Sequence, residues 1–180
     1  MRGIEARRSD TPPFIVEMQM QILGLLAQEK AGKPSNDCLQ QALALVRRKL
    51  KALRSRRIPL EALVIKQRLS RELENYRQPS PPARAAIQLE ATGRSLRAGQ
   101  YVRFVYTLGK PGVQAWDLPG SINPAMIDIA RYSKLLLRAA HAVLEPFGYA
   151  EDSLAGLVGE IPARQLPLPF PRRSIHWTFN

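Results

Sequence analysis

Leu39, Leu43, Val46, Leu50 and Leu53 recur at the three- and four-residue intervals that put every one of them on a single stripe of an α-helix. A stripe like this must be covered, so the chain needs further apolar helices or a sheet packed against it. The helix starts near Ser35. Its other faces end in a dense basic run: Arg47, Arg48, Lys49, Lys51, Arg54, Arg56 and Arg57. Such a run reads either as a solvated face or as a surface that meets phosphates.

Partners for the stripe lie on both sides. Thr11 followed by Pro12 gives a hydroxyl cap and then proline at the first helical position. Ile15, Met18, Ile22, Leu25 and Leu26 continue on one face to about Gln28, and Gly32 and Pro34 break the helix. Ile127 to Leu144 is another strong helix, with Leu135, Leu136 and Leu137 at its middle and Phe147, Gly148 and Tyr149 closing it. Ala83 to Ala91 reads as a shorter helix ending near Gly93.

The remaining segments carry other signals. Leu60 to Ile65 is a short apolar run, followed by Lys66, Arg68, Ser70, Arg71 and Tyr76. Gln78 to Pro82 holds three prolines and is expected to be a turn or loop. Gln100 to Leu108 alternates and is rich in β-branched and aromatic residues, which predicts a strand. Gly109 to Gly112 then reads as a turn, with Val113 to Leu118 as the partner strand. The fold expectation is mainly α with a small antiparallel β element, an α+β helical bundle with a β-hairpin insertion. Residues 1–10 form an arm or strand end, 11–158 one domain, and the Pro-rich stretch 159–180 an extended tail.

Charge narrows the function classes. There are 27 Lys and Arg, mostly Arg, against 15 Asp and Glu, a formal net of +12. A domain this basic points to a polyanion, nucleic acid or an anionic surface. Cys38 is the lone cysteine, which excludes an intrachain disulfide or a cysteine metal site, and His141 and His176 are too isolated for a zinc cluster. No run of about 18 apolar residues is present, and no signal-peptide pattern. These features predict a reduced, cytoplasmic protein. There is no Gly-rich phosphate loop, zinc signature or nucleophile with a base. Asp10, Asp117 and Asp128 fall at an expected cap, a hairpin and a helix start, so no magnesium site is assigned to this chain.

Several segments, taken in order, resemble family B DNA polymerases. The opening RGIEARRSDTPPFIVEMQMQ is similar to the family's passage from palm to thumb, through Gly3, Glu5, Arg7, Arg8, Asp10 and Gln19. Leu63 to Tyr76 resembles a thumb segment through Ser70, Arg71 and Tyr76, and PPARAA follows at the expected distance. Leu96 to Leu108 resembles a Gly-centred strand through Gly99 and Phe104. IDIARY and LEPFGY resemble the ends of the last thumb helix through Asp128, Tyr132 and Phe147. Pro82 stands where the family usually has His, and Arg131 where it has the first of two tyrosines.

The resemblance covers residues 2–150 and implies a thumb-like module that grips primer–template duplex DNA. By it, Arg7 and Arg8 lie near the primer strand, and Arg68, Ser70 and Arg71 along the minor-groove side of the product duplex, with Arg84 and Arg103 as further DNA-binding candidates. Tyr76 and Tyr132 read as core or core-edge packing. In the family the catalytic aspartates, nucleotide-binding fingers and exonuclease precede this region. The chain alone is therefore expected to be inactive, with magnesium implied only for the complete polymerase. A separate polypeptide carrying exonuclease, palm and fingers is an expected partner, the chain being half of a split enzyme, a truncated reading frame or an engineered piece. In the tail, Gln165, Leu166, Leu168 and Phe170 resemble the sliding-clamp-binding peptide of bacterial polymerases of the DNA polymerase II type, which implies a bacterial, nucleoid-associated setting. The competing expectations are a free-standing basic adaptor that recruits a clamp, and a membrane-surface protein using its basic helix.

Overall fold

A computed structural model describes residues 11–27 and 34–150, together with Leu154 and Gly156. Helix α1 runs Pro13–Leu26, α2 Asn36–Arg54, α3 Pro81–Glu90 and α4 Ile129–Leu144. Strands β1 (Ile65–Arg68), β2 (Tyr101–Tyr106) and β3 (Val113–Ala115) form an antiparallel sheet in the order β1-β2-β3. The class is α+β.

The helical half follows from the stripes. On α2, Leu43, Val46, Leu50 and Leu53 are buried with Ala42 and Leu45, while Leu39 is half-buried. On α1, Phe14, Ile15, Met18 and Ile22 face the same core, with Leu25 and Leu26 half-buried at its edge. Helix α4 buries Tyr132, Leu136, Leu137, Ala140, Val143 and Leu144 against both. Ser35 caps α2 by accepting a hydrogen bond from the Cys38 amide, and Asp128 caps α4 by accepting one from the Arg131 amide. The first helix starts one residue later than expected: Pro12 is its N-cap and Pro13 its first residue, with no side-chain cap bond. Gln19, buried in this apolar seam, donates to the Ala139 carbonyl at 2.8 Å and ties α1 to α4.

The sheet half differs from expectation in three places, the simplest being that β3 ends at Ala115 rather than Leu118. The expected hairpin is β2 and β3, but a third strand, β1, pairs with β2 on its other side, with Ile65 opposite Phe104 and Arg68 opposite Tyr101. Of the three prolines expected in a loop, Pro79 lies in one, but Pro81 and Pro82 sit at the first two positions of α3, where the missing amide hydrogens cost nothing. The outer edge of β3 is closed by Gln88 of α3. Its carboxamide donates to the Val113 carbonyl (2.9 Å) and accepts from the Ala115 amide (2.9 Å), as a neighbouring strand would.

Tyr132 joins the two halves. Its hydroxyl, fully buried, donates to the Leu63 carbonyl (2.8 Å) and accepts from the Tyr106 amide (3.1 Å). Burial pushes its phenol far above the ordinary tyrosine value. Its ring meets Tyr106 edge-on at 5.8 Å, and Tyr106 meets Phe104 in the same way at 5.5 Å. Arg131 lies 3.7 Å from the Tyr106 ring centroid, a cation–π contact.

Candidate nucleic-acid interface

Strand β1 ends at Arg68, and the chain then turns through Ser70 to Tyr76 before α3 begins. This turn encloses a polar groove of about 480 Å³. Arg68, Ser70 and Arg71 line it with Gln67, Asn75, Arg77, Gln78 and Ser80; none of the lining residues is acidic. Three sequence-predicted residues are thus brought together, and Arg77 joins them.

Local chemistry fixes the groove's shape. Gly99 has φ +85°, the left-handed conformation that favours glycine, and a Cβ there would sit 3.2 Å from an Arg68 guanidinium nitrogen, which would have to shift by a few tenths of an ångström. Arg68 Nε donates to the Gly99 carbonyl at 2.7 Å, which aims the guanidinium while leaving its terminal N–H groups for a ligand. The Gly99 amide and the Leu69 carbonyl extend the β1–β2 pairing past the strand end (2.8 Å), and Glu72 accepts from the Ala98 amide (3.1 Å). Ser70 and Tyr76 share a hydroxyl–hydroxyl bond of 3.0 Å, and the Ser70 amide donates to the Tyr76 hydroxyl at 3.3 Å. Burial raises the Tyr76 phenol, but the bonds from Ser70, the Arg71 backbone and Ser80 bring it below its ordinary value. The Arg71 guanidinium sits 5.6 Å from the Tyr76 ring centroid. Helix α3 points its N-terminus at the groove, but Pro81 and Pro82 fill its first two positions and offer no N–H. The groove's positive character therefore comes mainly from arginine side chains. Among the described residues no carboxylate pairs with Arg71 or Arg77.

The other candidates lie elsewhere. Arg103 stands on the outer face of β2, gripped through two nitrogens by the Asp117 carboxylate, which holds its guanidinium charge more firmly still. Arg84 is on α3 and donates to the Pro111 carbonyl at the β2–β3 turn, and its buried Nε has no partner among the described residues. Arg7, Arg8, Gln165, Leu166, Leu168 and Phe170 lie outside the described residues. Sequence reasoning assigned no role to Arg77 or Lys66; the loop holding Arg77 has no periodicity, and the Lys66 contacts depend on strand register. Among the described residues no three His, Cys, Asp or Glu side chains group closely enough to hold a metal ion, so none is assigned to magnesium. No helix among them is long and apolar enough to cross a membrane.

The chain is 25% identical over 166 residues to a DNA polymerase of Thermococcus litoralis, covering 85% of this chain and 9% of the relative. It is 26% identical over 157 residues to a DNA polymerase of Desulfurococcus sp. strain Tok, covering 85% of this chain and 19% of that protein. The chain thus spans less than a fifth of the length of these relatives. In fold it is similar to the family B DNA polymerase of the hyperthermophilic archaeon Pyrobaculum calidifontis, with a TM-score of 0.65 and 21% identity over 78% of this chain and 18% of that one. A family model described as DNA polymerase family B matches residues 1–144, most of the chain, and the chain belongs to that family.

Proposed function

We propose that this chain is the thumb portion of a DNA-directed DNA polymerase, gripping primer–template duplex through its phosphate backbone. The observation that carries the reading is the convergence of Arg68, Ser70, Arg71 and Arg77 on one groove free of acidic lining. Arginine forks and hydroxyls suit phosphate oxygens, and contacts to phosphate hold a duplex of any sequence, which a polymerase moving along its template requires. Arg7 and Arg8 act near the primer strand, while Arg84 and Arg103, each already held by an acceptor of the same chain, serve only as secondary contacts. The catalytic palm, fingers and exonuclease are supplied by residues other than these, and the role assigned here involves no chemical step. The peptide Gln165, Leu166, Leu168 and Phe170 recruits a sliding clamp of the kind bacterial polymerases use, a reading supported by its sequence pattern alone.

Binding of the 180-residue chain to two duplexes of unrelated sequence, titrated with salt, tests the grip. Affinity should fall linearly on a log–log plot, with nearly the same slope for both duplexes. Absence of duplex binding at about 50 mM salt, or a strong preference for one sequence, would overturn the reading.

A further inference from the structure

On the outer face of the sheet, Lys66 and Tyr101 carry chemistry that duplex gripping leaves unused. The register sets Lys66 opposite Arg103 and Arg68 opposite Tyr101, and directly opposed residues share a face. This is the exposed face, because Ile65, Val102 and Phe104 are buried on the other. Tyr101 is 54% exposed. The Lys66 ammonium lies over its ring at 4.7 Å from the centroid, and that degree of exposure leaves ring surface open. Asp117 meets this face, and Arg103 already holds its carboxylate.

An open ring among cations matches what an unpaired base and its phosphates need: a flat π surface to stack on and positive charge beside it. Paired bases inside a duplex are stacked on one another and cannot reach the ring. Arg68 belongs to both surfaces, since it lines the groove and stands across from Tyr101. Arg68 is therefore the residue that links the groove to the sheet face. We infer that the outer sheet face binds single-stranded DNA: Tyr101 stacks one unpaired base of a strand leaving the groove-bound duplex, and Lys66 and Arg68 hold the flanking phosphates. This inference rests on the gripping role proposed above.

The test measures binding of the full chain to a blunt duplex, to the same duplex with a short oligothymidine overhang, and to the oligothymidine alone. The overhang should tighten binding about tenfold, the effect of one base–aromatic stack. Tyr101→Ala should remove that gain and the binding of the free single strand while leaving blunt-duplex binding unchanged, and Tyr101→Phe should keep both. An equal overhang gain in Tyr101→Ala, or no gain in the parent chain, overturns the inference. A parent chain that fails on the blunt duplex strikes the gripping role instead, and Tyr101-dependent binding of the free strand would then still uphold the sheet-face site.

Discussion

Lys49 and Arg56, on and just past α2, and the arginines of the β1–α3 groove are all basic, yet they are in different situations. Between α1 and α2, the Lys49 ammonium is bonded to Glu17 at 2.8 Å and sits 5.3 Å from the Phe14 ring centroid. Arg56, just past α2, donates to the Pro124 and Ala125 carbonyls and ties the helix end to the approach to α4. These cations hold the protein to itself. In the groove, the Arg71 guanidinium meets the Tyr76 ring, neither Arg71 nor Arg77 has a carboxylate among the described residues, and Arg68 uses one N–H on a carbonyl. A count of basic residues cannot separate the two situations. What separates them is whether an acceptor from the same chain arrives first.

If that contrast holds, changes at the joint between the halves should act on stability, and changes in the groove on binding. Tyr132→Ala should show the largest effect, a loss of about 3–5 kcal/mol in denaturant unfolding, because it empties a buried aromatic site. Tyr132→Phe keeps the ring but strands the Leu63 carbonyl and the Tyr106 amide, at a cost of about 1–3 kcal/mol. A stable, well-folded Tyr132→Ala chain would break the claim that this residue joins the halves.

Glu17→Gln sharpens the contrast at the small end. The hydrogen bond and charge of Lys49 hold the Glu17 carboxyl below its ordinary value. A depressed carboxylate contributes stability above its unfolded-state pKa and loses it as pH falls through the folded one. The parent chain should therefore exceed the variant by less than about 1 kcal/mol near neutrality, and the two should converge on acidification. A difference that persists at low pH would assign the effect to packing rather than to charge.

How far the sequence could be read depended on the range of the interactions. Helices α2 and α4 were legible because their stripes, and the cap at Asp128, are local patterns. Strand β2 was legible because it alternates, and its turn to β3 because glycines bound it. Strand β1 was not: its four residues are too few for a pattern, and they become a strand only by pairing with a distant segment. The start of α3 was misread because proline reads as a breaker, whereas its effect depends on position. In the groove, Arg68, Ser70 and Arg71 were found through family resemblance. Arg77 and the Lys66–Tyr101 contact needed the folded register, since nothing in the spacing brings them to the others.

The most direct test of the central claim is the salt dependence of duplex binding by the Arg71→Ala/Arg77→Ala double variant beside the parent chain. The slope of log affinity against log salt should shrink by about 2, equally on duplexes of unrelated sequence, with unfolding stability unchanged. A double variant with the parent's slope and affinity would show that the groove does not hold the DNA backbone.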